Sequence, residues 1–352
     1  MATLTFHNIG IQGIAAAVPK NTINNYEYTE HFPKEDVKEI VDKTGVKERR
    51  FAEIGTCASD LCFAAANQLF DDLQIDKSEI DALIFISQTA DYRMPATSII
   101  LQHKLGLPKK TMAFDINLGC SGFVYGLSIA YSLMQQPSFR KILVLDGETR
   151  SRIYSPKDRK TAFLFGDAGI AAIIEKDNKY GISHFSLGSD GSKESLIKVD
   201  AGGYRNPSSA ETLREKVIDE YGNIRSDEHG YMNGADVFNF VLLEIPKDIK
   251  NLLATSQETT ETIDHFVFHQ ANSYMNDYLK NKMKLPEEKV PTSIEKFGNT
   301  SSVSIPLTIT LKLKNELLGN KKLLLSGFGV GMSWASVVIQ TSDCKISEIV
   351  EI

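Results

Sequence analysis

The chain has few features that would place it outside the ordinary soluble enzymes. It has four cysteines in 352 residues, Cys57, Cys62, Cys120 and Cys344. No two of them stand at a metal-ligand spacing, so neither a zinc site nor a disulfide framework is expected. No stretch approaches the roughly 18 consecutive apolar residues that a membrane span requires. Positive charge is not in excess: the formal net charge is -6 and the pI about 5.7, which gives no electrostatic footprint for nucleic acid. The first residues, Met1 to His7, contain no apolar core run, so a secretory signal is not expected there. These absences together predict a cytoplasmic protein with free thiols, no metal, no nucleic-acid partner and no membrane partner. A hydrophobic fraction of 42% over this length allows a large buried core without covalent staples.

What is present is a recurring alternation of short apolar runs and helix-like segments. Strands are expected over 80–87, 111–116, 141–145 and 169–174, with helices over 59–73, capped by Ser59, and over 121–134. The second half repeats the pattern. Strands are expected over 182–187, 264–268, 322–326 and 333–340, with helices over 235–253, 271–282 and 301–317. This order predicts an α/β fold of two pseudo-symmetric halves, 1–176 and 177–352, joined at the polar stretch Glu175 to Lys179. The segment from Gly202 to Gly230, rich in glycine, serine and charge, reads as a long excursion.

Three places carry chemistry. Asn117-Leu118-Gly119-Cys120-Ser121-Gly122 lies between an expected strand and a helix expected to begin at Cys120. A helix N-terminus supplies free N–H groups and partial positive charge, which favour thiolate. A thiolate there can attack a thioester and hold the acyl group. The competing reading is a buried thiol acting as a small hydrophobe. His269, in Phe268-His269-Gln270-Ala271-Asn272, closes the strand of the second half and is expected to occupy the position equivalent to Cys120. Asn299, in Gly298-Asn299-Thr300-Ser301, precedes the next expected helix, which Thr300 or Ser301 would cap; its amide could donate to a developing oxyanion. The run Ser326 to Trp334 holds Gly327, Gly329 and Gly331, so backbone can approach a substrate closely there.

Taken together these residues resemble the β-ketoacyl-acyl-carrier-protein synthase III family, of the thiolase-like superfamily. The likeness also includes Thr44-Gly45-Val46-Lys47-Glu48-Arg49-Arg50, Phe165-Gly166-Asp167-Ala168-Gly169 and Met232-Asn233-Gly234-Ala235-Asp236. It implies a layered αβαβα thiolase-like core and a transferase of lipid metabolism and fatty acid biosynthesis. Cys120 would take an acyl group from an acyl-coenzyme A or acyl-carrier-protein thioester. His269 and Asn299 would promote decarboxylation of a malonyl thioester, and the carbanion would attack the acyl-Cys120 thioester. The backbone N–H groups of Cys120 and Val330 would form the oxyanion hole. Met94 and Phe328 would belong to the acyl pocket, Met94 lent across a homodimer interface. Acyl carrier protein and a small-molecule thioester are the implied partners, and no other cofactor is implied. Glu39 stands where priming members often carry tryptophan, and Tyr274 where a basic residue is usual. These two positions motivate a second expectation, an acyltransferase passing the acyl group to an amine or hydroxyl in secondary-metabolite or polysaccharide biosynthesis.

Overall fold

The computed structural model describes residues 2–352. Two mixed sheets form its frame. The first contains β2 (Ile9–Val18), β3 (Ile80–Ile86), β4 (Met112–Ile116), β5 (Lys141–Thr149) and β6 (Asp167–Lys176). Their order is β2-β6-β5-β3-β4, with β5, β3 and β4 mutually parallel and β6 antiparallel to its neighbours. The second contains β1 (Ala2–His7), β7 (Ile182–Ser189), β8 (His265–Phe268), β9 (Lys321–Gly329) and β10 (Ser333–Thr341), in the order β1-β7-β10-β9-β8. Two short C-terminal strands, β11 (Lys345–Ile346) and β12 (Val350–Glu351), return to pair with β2. The change of sheet falls between Lys176 and Ile182, but the chain ends cross it. The first strand belongs to the second sheet, and the last two belong to the first.

Five layers result, and residue alternation shows why. Along β3, Ala82, Ile84 and Ile86 enter the core between the sheets, while Leu83 and Phe85 enter the outer core. Strands buried on both faces read as continuous apolar runs, which is why Ala82 to Ile86 carries no polar residue. The central layer is α2 (Gly122–Leu133) and α5 (Ser304–Lys312), whose Phe123, Leu127, Ile305 and Ile309 pack against both sheets. Outside the first sheet lies α1 (Ala58–Leu73). Outside the second lie α3 (Gly234–Ser256) and α4 (Ser273–Lys282). This is the layered αβαβα arrangement.

Several expected boundaries move. Ser59 does not cap α1: the helix starts at Ala58, the cap is Cys57, and its N–H donates to the Asp60 carboxylate at 2.9 Å. Ser59 instead donates to Asp91 at 2.7 Å. The expected helix over 301–317 is a 3-10 turn at Ser301–Val303, the helix α5, and a second 3-10 turn at Glu316–Leu318. Neither Thr300 nor Ser301 caps it with a side chain. The excursion over 202–230 contains the two-residue ladder Lys216–Val217 against Ile224–Arg225 and is tied back by Ser155, whose hydroxyl donates to the Ile224 carbonyl at 2.6 Å.

The halves correspond by pairing: β2 with β7, β3 with β8, β5 with β9 and β6 with β10, each half ending in an antiparallel pair. On that correspondence α2 matches α5, the helices that enter β5 and β9. His269 follows β8, so its counterpart is Ser87 after β3 and not Cys120, as the sequence pattern had suggested. The counterpart of the Cys120 turn is the turn at Ser301–Val303. The mismatch has a topological cause. The first half inserts β4 before its central helix, and no strand occupies that place in the second half.

Candidate active site

Cys120 sits in a tight turn ahead of α2. The Gly122 N–H donates to the Gly119 carbonyl at 2.6 Å, and helical bonding begins with Tyr125 N–H to Ser121 at 3.1 Å. The helix therefore starts at Gly122, two residues later than expected. Its approach to β3 requires glycine: a Cβ on Gly122 would lie 2.7 Å from Ile86 Cγ2, and one on Gly126 2.3 Å from Ile86 Cδ1. The same intimacy holds around the thiol. A Cβ on Gly119 would meet Val330 Cγ1 at 2.4 Å, and one on Gly329 would meet Cys120 Sγ at 2.7 Å. The loop between β9 and β10 is thus folded directly over the cysteine, and the Val330 N–H points at its sulfur.

The Ser301 hydroxyl donates to the sulfur at 4.0 Å; His269, from the end of β8, lines the same cavity and draws the thiol's pKa down. The imidazole Nδ1 lies 2.8 Å from Ser304 Oγ and 3.1 Å from the Ser301 carbonyl. Ser304 Oγ already donates to that carbonyl at 2.7 Å, and a carbonyl cannot donate. These partners assign a proton to Nδ1 and leave Nε2 to exchange a proton with the thiol. The Phe328 ring stands edge-on to the imidazole, with centroids 5.6 Å apart, and fixes its plane. Asn299 is held on both sides. Its Oδ1 accepts from the Ser301 N–H at 2.9 Å, and its backbone bonds to Leu164 and Gly166 across the joint between the halves. The amide Nδ2 reaches only the Ala271 carbonyl, at 3.5 Å, so donor capacity remains for a substrate oxygen.

Burial pushes the Cys120 thiol up. His269, by charge and hydrogen bond, then Arg150 and the Val330 N–H outweigh it, and bring the thiol from 9.0 down to about 7. Burial wins at the other cysteines: Cys57 is raised, Cys62 is raised well above its ordinary value, and Cys344 is pushed up to about 12. Only at Cys120 do the neighbours produce thiolate near neutral pH.

Cys120, His269, Asn299, Phe328 and Val330 line one cavity of about 60 Å³. Met94 does not reach it. It is 75% exposed on the surface of the chain. Three contributors went unrecognised in the sequence. Ser304 holds the imidazole, Ser301 anchors both His269 and Asn299, and Arg150 adds a buried positive charge beside the sulfur. Thr149-Arg150-Ser151-Arg152 reads as an ordinary polar stretch, and only its position directly after a buried strand sets it apart.

A crevice between two α/β halves, with an activated thiol from one and an imidazole and carboxamide from the other, defines a thiol-dependent acyl-transferring condensing enzyme. The comparisons agree with that geometry. Residues 114–191 match the family described as 3-Oxoacyl-[acyl-carrier-protein (ACP)] synthase III, and residues 253–341 match its C-terminal part. The chain is 34% identical to the β-ketoacyl-[acyl-carrier-protein] synthase III of Fusobacterium nucleatum over 95% of this chain and 98% of that protein. Among solved structures, a 3-oxoacyl-(acyl-carrier protein) synthase from Burkholderia xenovorans LB400 superposes with a TM-score of 0.93 at 38% identity, covering 100% of this chain and 99% of that one. The priming β-ketosynthase of the R1128 polyketide pathway superposes with a TM-score of 0.82 at 26% identity, covering 96% and 98%. The chain belongs to the β-ketoacyl-acyl-carrier-protein synthase III family and has its thiolase-like fold.

Proposed function

We propose that this enzyme transfers an acyl group from a thioester to Cys120 and condenses it with a malonyl thioester, with loss of CO₂. The observation that carries the proposal is the single activated thiol: of four cysteines, Cys120 alone is drawn below the ordinary value, and it lines one cavity with His269. The thiolate attacks the donor carbonyl, with the Val330 N–H beside the sulfur and the Cys120 N–H as oxyanion donors. Collapse expels the donor thiol, which takes its proton from His269 Nε2. Malonyl thioester then enters. His269 Nε2, reprotonated from solvent, and the free amide hydrogen of Asn299 donate to its carbonyl oxygen as CO₂ leaves. The enolate carbon attacks the acyl-Cys120 carbonyl, the Cys120 C–S bond breaks, and the thiolate is restored.

The malonyl carrier in this proposal is acyl carrier protein, and the working unit is a homodimer. Two features support the dimer. The edge strand β4 pairs only with β3 yet carries Ala113, Phe114 and Ile116 half-buried. Near it, Tyr92, Met94 and Ile99 expose large apolar side chains, and Met94 is the residue expected to enter the partner's acyl pocket. Four free thiols and no helix among the described residues long and apolar enough to span a membrane are compatible with the proposed cytoplasmic location. The test is product analysis with carboxyl-labelled malonyl thioester. Wild type releases labelled CO₂ in step with a β-ketoacyl product. Persistent condensation by Cys120→Ala would falsify the assignment.

A further inference from the structure

Arg150 is a buried charge that the chemistry above leaves half-used. It is 4% exposed and lines the same cavity as Cys120. One terminal nitrogen donates to Gln88 Oε1 at 3.1 Å and the other to the Tyr154 hydroxyl at 3.3 Å, while Nε has no partner. Among the described residues no carboxylate lies within 4.0 Å of the guanidinium. Glu148 is near enough to be felt, but its oxygens are taken by the Gln88 N–H at 3.1 Å and the Thr89 hydroxyl at 2.8 Å.

The surroundings reinforce the imbalance. The guanidinium lies against Tyr154 and Phe165, 5.7 and 5.6 Å from their centroids, and these rings stack at 3.9 Å. The same two rings also line a second cavity of about 160 Å³, together with Arg49, which is 2% exposed and has its own unpartnered Nη2. Neither cavity has a carboxylate in its lining; the anion that Arg150 feels in the first is the Cys120 thiolate, which acylation removes. Two buried guanidinium groups therefore flank one aromatic wall; Arg150 feels Glu148 and the Cys120 thiolate, and Arg49 feels Asp167, but among the described residues neither is held by a hydrogen-bonded carboxylate. A buried guanidinium with a free donor and no hydrogen-bonded counterion is costly, and a planar carboxylate is the group that pairs with a guanidinium fork most completely. A hydrocarbon acyl chain against Arg150 would instead strip water from its free donors and return nothing.

We propose that the acyl donor is a short dicarboxylic half-thioester whose free carboxylate is bound by Arg150. The inference rests on Cys120 being the acyl acceptor. In the step, thiolate sulfur bonds to the thioester carbonyl carbon, the donor C–S bond breaks, and the leaving thiol takes the His269 proton. The distal carboxylate stays ionised and unreacted. Cys120 and Arg150 line one cavity, so the carbonyl bonded to sulfur and the carboxylate held by Arg150 lie within it together, which suits a short diacid chain.

The test uses N-acetylcysteamine thioesters of succinate, monomethyl succinate and butyrate, with acyl-enzyme formation followed by intact mass and each rate divided by the rate of iodoacetamide alkylation. The expected result is acylation by succinyl thioester at least about tenfold faster than by either neutral analogue, with the order reversed in Arg150→Met. Normalisation removes any general effect of Arg150 on thiolate, so the ratio reports recognition alone. Equal or faster acylation by butyryl thioester in wild type overturns the inference, as does an unchanged ratio in a folded Arg150→Met or Arg150→Gln. The wild-type contrast between succinyl and its methyl ester decides the matter should neither variant fold. Neutral thioesters acylating Cys120 best would leave the condensing proposal standing, whereas no adduct from any thioester would overturn both.

Discussion

Replacing His269 with alanine tests the electrostatic account of the thiol quantitatively. In the wild-type site, burial raises the thiol, and His269 is the largest of the influences that bring it from 9.0 to about 7. Without the imidazole its lowering influence is lost while Arg150 and the Val330 N–H remain; if that loss equals the whole net shift of about two pH units, it is about 2.7 kcal/mol of thiolate stabilisation. At pH 7 the thiolate fraction then falls from about a half to about a hundredth. A more basic thiolate is a better nucleophile, by roughly eightfold over two units at a Brønsted slope near 0.4–0.5. The net loss of alkylation rate at pH 7 is therefore only about five- to tenfold, and the rate alone is a poor diagnostic. The inflection is the useful quantity. Reactivity rises with pH through the thiol's own pKa, so the iodoacetamide profile should turn near 7 in wild type and at a clearly higher pH in His269→Ala. Profiles with the same inflection would refute the claim that the imidazole sets the thiolate.

Other perturbations separate the remaining roles. Asn299→Ala should still form an acyl-enzyme but lose about 10²- to 10³-fold in condensation, checked by single-turnover acylation against CO₂ release; equal losses in both steps would contradict its assignment to the malonyl half. Ser304→Ala removes the hydroxyl 2.8 Å from His269 Nδ1 and should shift the alkylation inflection upward; it also leaves the buried Gln270 N–H without its acceptor, so unfolding free energy should fall by about 1–3 kcal/mol. Gly122→Ala drives a methyl to 2.7 Å from Ile86 Cγ2 in a packed core, so unfolding free energy should fall by about 1–3 kcal/mol in a denaturant titration. Gly329→Ala places a methyl 2.7 Å from Cys120 Sγ and 2.9 Å from its Cβ at a buried position, so it should slow acylation and also lower the melting temperature.

Much of this architecture is written in local pattern. Gly119-Cys120-Ser121-Gly122 after an apolar strand points to the proposed nucleophile because a helix entry needs the small residues that also let substrate approach. The strands at 80–86 and 265–268 are short apolar runs bounded by polar turns, and they appear where expected. The opening strands β1 and β2 were not anticipated. Ile9 to Val18 is buried along almost its whole length, so it lacks the alternation by which strands are recognised. The equivalence of His269 with Cys120 failed for a different reason. Element order does not show that β4 is inserted in one half only, and that single strand displaces the counterpart of Cys120 to Ser301–Val303. Arg150, Ser301 and Ser304 are invisible in the chain because their meaning lies in contacts between residues far apart in sequence: Ser304 with His269, Arg150 with Gln88.

The central claim is that one thiol carries the acyl group between two half-reactions. Its most direct measurement is a chase. Enzyme is loaded with a stoichiometric isotopically labelled acyl thioester, freed of excess donor, and mapped by peptide mass spectrometry before and after addition of malonyl thioester. The account predicts a label on the peptide containing Cys120 that disappears as a labelled β-ketoacyl product forms. A label on any other residue, or one on Cys120 that malonyl thioester does not discharge, would contradict it.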